Sequence, residues 1–433
     1  MFCAIDFGTS NSAIAVPDGD TMSLVELEPG QLTMPTAVFY RTEARHEAGH
    51  SREFGRAAIA AYVEGADGRL MRSMKSLLGS ALIEQTTDVG GGRGVKYLDI
   101  LAGYLGHLKH LAQARTGRAL HRVVLGRPVY FVDDDPLRDA AAQAALEAAA
   151  RQIGFSEVSF QYEPIAAAFD YERGLASEQH VLVADLGGGT SDFAVLRVGP
   201  QRAARPDRKD DILAHHGVHV AGTDFDRRIE LEAMLPQLGY RSHGPLARGD
   251  AVAREVPSAI YFDLATWHLI NTAYTPARVA ELRRMRSFYA DPRQHRRLLT
   301  VLDHRLGHEL AAAAERAKID VALGGAGRLD LSGVERGLTL ALDEPAALGM
   351  IAADLDRIAC TALQTVRLSG LALRQIDAVY FTGGSSGIAA LRKAILAGLP
   401  GATAVVGEPF ASVAKGLALH AARRFEPVRA VGF

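Results

Sequence analysis

Residues 181–196 read VLVADLGGGTSDFAVL: an apolar run ends in Asp185, three glycines follow, and a second apolar run resumes after Thr190, Ser191 and Asp192. This is the pattern of a strand, a tight glycine turn and a second strand. Three adjacent glycines are costly to order, so such a turn brings backbone N–H groups close to something that a Cβ would exclude. Phosphate is the leading candidate, because successive backbone amides form anion-binding concavities. Asp185 and Asp192 add hard oxygen ligands of the kind Mg²⁺ takes, usually through water. A hairpin with a Gly-rich turn and no ligand is the alternative reading of this stretch alone.

A second copy lies near the N-terminus, where residues 4–16 read AIDFGTSNSAIAV. With two glycines removed from the first stretch, Asp6 aligns with Asp185, Thr9 with Thr190, Ser10 with Ser191 and Asn11 with Asp192. Internal similarity at this separation predicts two related half-domains, each offering one phosphate hairpin. Two such loops facing each other can clamp one triphosphate.

Composition bounds what else the chain can be. Its 433 residues are long enough for more than one domain. Hydrophobic residues at 48% and charged ones at 23% describe an ordinary globular protein. A formal net charge of −2 gives no global pull towards nucleic acid or anionic membrane. The two cysteines, Cys3 and Cys360, are too few for a disulfide framework and lack metal-ligand spacing, so a reducing, cytoplasmic setting is expected. Asp6 and Gly8 interrupt the first apolar run, and no later run approaches the ~18 residues of a membrane span.

Outward from the two hairpins, residues 1–40 read as short strands, and residues 53–64 as an Ala-rich helix within a polar, irregular stretch. RLMRSMKSLLGS places Lys75 on a short helical segment ending at Gly79. Residues 97–117 read as an amphipathic helix, followed by the strand RVVLGRPVYF, in which Pro128 suggests an edge or a bulge. Asp135 and Pro136 are the N-cap and first position of the next helix, with Gly154 just past its end. EPIAAAFDYERG then predicts a helix with Glu163 at its N-terminus, where the helix dipole favours a carboxylate. Residues 201–211 read as an exposed charged connection, and Thr223 as the N-cap of the helix TDFDRRIELEAML. Arg283, Arg284, Arg286, Arg293, Arg296 and Arg297 form a basic cluster with few aromatics, which reads as a solvated helix face and not a nucleic-acid patch. Residues 303–323 predict a long helix on which Glu315 and Lys318 share a face. AVYFTGGSSGIAALRKAIL gives a buried strand, a Gly-Gly turn and a helix whose N-terminus can take a phosphate or ribose oxygen.

The ordered series DFGTSNS, MKSLLG, YEPIAAA, VADLGGGTSDF, AGTDFD, AERAK, YFTGGSSGI and ASVAKGLA resembles the nucleotide-binding domain of the DnaK-type heat-shock 70 chaperones, in the YegD-like branch, within the sugar kinase, actin and chaperone ATPase superfamily. The resemblance covers nearly the whole chain. It implies an α/β, actin-like ATPase fold of two lobes, each with a ribonuclease-H-like core: residues 1–175 with an insert at roughly 41–96, and residues 176–433 with an insert at roughly 223–314. It also implies ATP or ADP with Mg²⁺ in the cleft. By this resemblance Asp6, Asp185 and Asp192 serve the metal site. Gly8, Thr9, Ser10, Asn11, Gly187, Gly188, Gly189 and Thr190 cradle phosphates. Lys75, Glu163, Asp185 and Thr190 form the catalytic set, with Lys75 reaching the γ-phosphate and Glu163 ordering water. Gly222, Glu315, Lys318, Gly383, Gly384 and Ser385 line the nucleoside side.

Three positions depart from the family pattern. Two arginines that sandwich adenine in the family are replaced by Ile319 and Gly387, and an acidic residue of the last helix motif by Phe410. Cation–π contacts contribute roughly 0.5–2 kcal/mol each, so losing both weakens nucleotide binding on the order of tenfold or more unless Ile319 packs on the base. The segment between AGTDFD and AERAK is longer than usual, which puts exchange-factor docking in doubt. No Leu/Asp linker or β-rich peptide-binding domain is expected after Phe433. The sequence therefore predicts a slowly hydrolysing nucleotide switch of the chaperone type acting on an unknown protein partner or client, with no nucleic acid and no membrane. A small-molecule, sugar-type kinase and a non-catalytic nucleotide sensor or filament protein are the alternatives.

Overall fold

The computed structural model describes all residues except 20, 43–51, 90–93, 133–134, 204, 206, 247–252, 268, 409–410 and 426–433. Phe410 and the residues after Phe425 therefore lie outside the described residues. The first sheet contains β1 (Phe2–Phe7), β2 (Asn11–Asp18), β3 (Thr21–Leu24) and the short β4 (Met34–Pro35). The chain then leaves this sheet for β5 (Ala37–Arg41), β6 (Arg52–Phe54), α1 (Gly55–Val63), β7 (Gly68–Arg72), a 3₁₀ turn at Met74–Leu77 and the small hairpin β8 (Thr86–Asp88) and β9 (Gly94–Lys96). It returns through α2 (Tyr97–Thr116), β10 (Arg122–Arg127), α3 (Pro136–Gln152), β11 (Glu157–Tyr162) and α4 (Glu163–Arg173).

The second half repeats the plan. It begins with β12 (Gln179–Leu186), β13 (Ser191–Val198), the short α5 (Pro200–Ala203), β14 (Ile212–Val218) and α6 (Gly222–Ile229). A mainly helical excursion follows, through α7 (Ala259–Leu264), α8 (Pro276–Arg284), α9 (Pro292–Asp303), α10 (Gly307–Ala322) and the hairpin β15 (Gly327–Asp330) and β16 (Thr339–Leu342). The half closes with α11 (Glu344–Leu368), β17 (Ala378–Thr382), α12 (Ala389–Ala397), β18 (Thr403–Val406) and α13 (Ser412–Phe425).

Both main sheets have one topology. The first runs β3-β2-β1-β10-β11 and the second β14-β13-β12-β17-β18. In each, three strands form an antiparallel meander and two further strands add in parallel. The sequence repeat seen in the two hairpins is thus a repeat of whole half-domains, as in the two lobes of an actin-like ATPase fold.

Period-2 side-chain alternation explains why the central strands are apolar throughout. In β1, Cys3, Ile5 and Phe7 join the core under α2 and α3, while Phe2 and Ala4 pack on the α13 side. In β12, Leu182, Ala184 and Leu186 face the α11–α12 core, and Val181 and Val183 face α4. Each fully buried Ile, Leu or Phe here contributes about 1.5–3 kcal/mol of transfer free energy. The crossing of α4 and α13 depends on one glycine, since a Cβ on Gly416 would sit 1.8 Å from the Ala166 carbonyl oxygen.

Helix ends follow local chemistry. The Asp135 carboxylate accepts from the Arg138 N–H at 3.0 Å at the start of α3, and Asp343 accepts from Ala346 at 2.8 Å at the start of α11. Gly117, at φ +64°, stops α2 in the left-handed region.

Some expectations are corrected. The strand before Pro128 is internal, between β1 and β11, and ends at Arg127, so Pro128 terminates it and forms neither an edge nor a bulge. The helix expected from residue 303 starts at Gly307, because α9 ends at Asp303 and the chain turns through Arg305 at φ +55°. The connection at 201–211 is only partly exposed: Arg208 and Asp211 are buried. Arg208 forms two bonds to Glu172, at 2.8 and 3.0 Å, and a third to Asp211. Glu172 also accepts from the Gly199 N–H at 2.9 Å. A guanidinium satisfied on both edges can be buried in this way.

Three of the six arginines of the basic segment are in ion pairs. Arg283 bonds Asp303, Arg293 bonds Asp291 and Arg297 bonds Glu335. Among the described residues, no helix is long and apolar enough to cross a membrane.

Candidate functional site

The two glycine turns face each other. A Cβ added to Gly188, in the β12–β13 turn, would lie 3.5 Å from Ser10 Oγ in the β1–β2 turn. The first turn is pinned by Thr36, whose Oγ1 donates to the Gly8 carbonyl at 2.8 Å and whose N–H donates to the Ser10 carbonyl at 2.9 Å. Gly8 is required there, because a Cβ would fall 2.1 Å from the Asn11 oxygen. In the second turn, the Gly187 N–H donates to Thr190 O at 2.9 Å. A Cβ on Gly189 would meet nothing within 4 Å, so that side of the turn is open.

Three further segments dock on the second turn. The Thr223 N–H and Oγ1 both donate to the Gly188 carbonyl at 2.8 Å. This corrects the capping expectation: Ala221 is the N-cap of α6, its N–H donating to Asp224 at 2.9 Å, while the Thr223 hydroxyl is spent on the glycine turn. Ser385 Oγ donates to the Gly187 carbonyl at 2.8 Å. Lys318 Nζ donates to the Gly222 carbonyl at 3.0 Å and pairs with Asp226 at 2.7 Å. Burial outweighs that pairing and lifts the Asp226 carboxyl to about 6. Gly383, at φ +83°, leaves room for Asp185, since a Cβ would come within 2.7 Å of Asp185 Oδ1 and 2.4 Å of the Leu186 oxygen.

Under the turns lies an acidic centre with one ammonium group in it. Asp6 and Asp185 end the equivalent strands β1 and β12, and Asp192 lies opposite Asp185 in the β12–β13 register. Lys75 Nζ bonds Glu163 Oε1 at 2.6 Å, and both side chains are largely buried. Burial, then Glu163 and Asp185, push the Asp6 carboxyl up to about 8, against the pull of Lys75. Burial, then Asp192 and Glu163, push Asp185 to about 7. Asp192 is also raised, chiefly by burial, although solvent reaches it at the cleft mouth and Thr190 hydrogen-bonds it. Burial alone would lower the Lys75 ammonium, but Glu163, Asp6 and Asp185 together hold it above its usual range. The centre thus carries more carboxylates than its one lysine offsets. It has a standing electrostatic demand for further positive charge.

A hydrated divalent cation would meet that demand. Among the described residues, no three carboxylate, imidazole or thiol groups stand close enough to bind a metal directly. The donor set suits Mg²⁺ that keeps its waters and takes its remaining ligands from phosphate. Asp6, Asp185 and Asp192 would hold those waters.

The structure therefore brings together Asp6, Lys75, Glu163, Asp185 and Asp192. It sets Ser10 against Gly188 and gathers Gly187, Gly222, Lys318 and Ser385 on one side. Thr9, Gly384 and Glu315 are exposed. Ile319 is 46% exposed, and a Cβ at Gly387 would meet nothing within 4 Å. The site also uses residues that sequence reasoning missed. Gly126 lets Glu163 approach, as its Cβ would lie 3.2 Å from Glu163 Oε1, and Gly217 does the same for Asp192 at 2.5 Å. An isolated glycine inside a strand pattern is the signal for such close approach. Two cavities of about 520 and 590 Å³ lie elsewhere, one beside Tyr130 and His215 and one beside Phe54 and His107.

The chain is similar to known proteins. A chaperone protein DnaK of Mycoplasmoides gallisepticum (strain R(low / passage 15 / clone 2)) is 28% identical over 251 residues, which is 56% of this chain and 38% of that protein. The aligned part thus spans well under half of that relative. A family model described as Hsp70 protein matches residues 2–231, which run from β1 past the end of α6 and hold both glycine hairpins, Lys75 and Glu163. The chain belongs to the Hsp70 family.

Proposed function

We propose that the cleft binds an adenine nucleotide with Mg²⁺, hydrolyses ATP slowly and reports the nucleotide state by lobe closure to a protein partner or client, as a chaperone ATPase of the heat-shock 70 type. The lobes on this reading are residues 1–175 and 176–433, with inserts at roughly 41–96 and 223–314. One observation carries it: two glycine turns from topologically equivalent sheets face each other across the gap between Ser10 and Gly188, above an acidic centre that contains Lys75.

On this reading the backbone N–H groups of Gly8, Thr9, Ser10, Gly188, Gly189 and Thr190 take phosphate oxygens, while Gly187, whose N–H is bonded to the Thr190 carbonyl, shapes the turn. Asp6, Asp185 and Asp192 would hold the hydrated cation, which would neutralise phosphate charge. Lys75 turns from Glu163 towards the terminal phosphate, and Glu163 then orients the attacking water. Thr190 steadies Asp192. Gly222, Glu315, Lys318, Gly383, Gly384 and Ser385 flank the nucleoside. Such parts suit phosphoryl transfer, which depends on positioning and charge neutralisation more than on covalent chemistry.

The test is calorimetric titration of ATP and ADP with Mg²⁺ into wild type and Asp185→Asn, with phosphate release followed in the same samples. Binding with slow release, both impaired in the variant, is the expected result. Absence of adenine nucleotide binding by wild type overturns it. Phosphate transfer to a sugar panel would make the protein a small-molecule kinase. Tight binding without turnover would make it a sensor, and nucleotide-dependent sedimentation a filament protein.

A further inference from the structure

The polar side chains between the second glycine turn and α10 are bonded to the protein itself. Gly222 is their meeting point: a Cβ there would lie 2.7 Å from Ser385 Oγ, 3.5 Å from the Gly187 oxygen and 3.6 Å from Lys318 Nζ. Ser385 Oγ is spent on the Gly187 carbonyl and Thr223 Oγ1 on the Gly188 carbonyl. Lys318 is spent on the Gly222 carbonyl and on Asp226, and the Asp224 carboxylate on the Ala221 N–H. Each of these bonds ends on the glycine turn or at the start of α6. What borders the junction on the open side is apolar or bare. Ile319 follows Lys318 and is 46% exposed, and Leu323, one turn further along the same helix face, is 82% exposed. Across from α10 the chain runs from Ser385 through a 3₁₀ turn to Gly387, where a Cβ would meet nothing within 4 Å.

We propose that this apolar step takes the base of a nucleotide without reading it, so that the cleft accepts nucleoside triphosphates as a class and not adenine nucleotides alone. The proposal rests on the nucleotide-binding reading above, which puts the nucleoside on this side of the turn. Hydrogen bonds and apolar contacts discriminate very differently. A site that hydrogen-bonds a ligand group rejects analogues lacking it by roughly 10⁴–10⁵, whereas a hydrophobic surface separates close analogues by only about 10–200-fold. Ile319 and Leu323 offer contact area and no donor or acceptor. The hydroxyls and the ammonium that could have read a base edge are engaged inside the protein.

Those engaged groups serve the phosphate end. The peptide unit is planar, so holding a carbonyl also orients the N–H of the next residue, on the opposite side of the plane. Ser385, by holding the Gly187 carbonyl, aims the Gly188 N–H, and Thr223, by holding the Gly188 carbonyl, aims the Gly189 N–H. Both are positioning residues for phosphate. Affinity then comes from the triphosphate and its hydrated cation, and the base adds only the surface it covers.

The test is displacement of a ribose-labelled fluorescent ATP analogue from the full chain, with Mg²⁺, by ATP, GTP, CTP, UTP and inorganic tripolyphosphate. The four nucleotides are expected to bind within about tenfold of one another, the purines tighter by about two- to fivefold because their second ring covers more apolar surface. Ile319→Ala, at an exposed position that the fold does not depend on, should weaken all four by a common factor of about two- to fivefold and leave tripolyphosphate unchanged. Ser385→Ala should weaken ATP and tripolyphosphate alike, by about fivefold, the scale of one hydrogen bond. A preference for ATP over GTP of more than about a hundredfold would overturn the proposal, while leaving the nucleotide-binding reading in place. A Ser385→Ala loss confined to nucleotides, or no effect of Ile319→Ala on any nucleotide, would overturn it as well. If wild type binds neither the analogue nor any of the four nucleotides, the functional reading falls and the proposal falls with it.

Discussion

Removing Lys75 tests the acidic centre most directly. Its ammonium lies 2.6 Å from Glu163 Oε1, with the two side chains 10% and 17% exposed. It is also the cation that opposes the raised carboxyls of Asp6 and Asp185. Breaking a buried pair by deleting one partner costs about 3–5 kcal/mol. In Lys75→Met the cost depends on pH, because Asp6 and Asp185, already lifted to about 8 and 7, take up protons instead of remaining charged. At pH 6 both are largely neutral and the loss sits near or below the lower figure. At pH 8.5 the wild-type carboxyls are largely ionised and the variant forfeits their attraction to the ammonium, so the loss reaches the upper figure. Glu163→Gln is milder, about 1 kcal/mol, the scale of one hydrogen bond, because it deletes a carboxylate that raises both Asp6 and Asp185. The double variant should be more stable than the sum of the two losses predicts, with a coupling of about 2–3 kcal/mol, the upper part of the range for contacting residues. Melting temperatures of the four proteins without Mg²⁺ at pH 6 and 8.5 measure this, at roughly 2–4 °C per kcal/mol for units of this size. Equal melting of Lys75→Met and wild type at both pH values, or strict additivity in the cycle, would refute the buried-pair reasoning.

The same carboxyls set a pH dependence. Asp185 has its folded value raised from 3.8 to about 7, so the stability contributed by its protonated form is complete below about pH 4 and is lost as pH rises through 7. Wild-type melting without Mg²⁺ should therefore fall from pH 5 to 8 more steeply than that of Asp185→Asn, and added Mg²⁺ should raise wild-type melting more at pH 8 than at pH 6; a larger Mg²⁺ effect at pH 6 would contradict the site. Two glycine substitutions separate folding from binding. Gly188→Ala meets Ser10 only at ordinary contact distance, so melting should move little, whereas nucleotide affinity should fall roughly five- to hundredfold through overpacking against phosphate. Gly383→Ala, at φ +83° and in collision with Asp185 and Leu186, should instead lower melting by several degrees, which circular dichroism checks.

What could be read from the chain alone is what local chemistry governs. Asp135, Pro136 and Gly117 mark helix ends because caps and left-handed turns act within a few residues. The two glycine hairpins were legible because alternation, turn chemistry and the repeat of Asp6 in Asp185 all lie within short windows. Long-range packing settled the rest. Lys75, which alone reads as a solvated lysine, gains its buried partner from Glu163, 88 residues away. Arg208, expected in an exposed connection, is buried because Glu172, 36 residues earlier, offers both carboxylate oxygens. Thr223 gives up its capping role to the Gly188 carbonyl, 35 residues distant. The Arg72–Trp267 contact joins segments whose sequence patterns carry no mark of each other. In each case the environment of a polar group is fixed by what the folded chain brings beside it. Local pattern specifies the elements, and the tertiary fold sets the charges, protonation and contacts of the residues they carry.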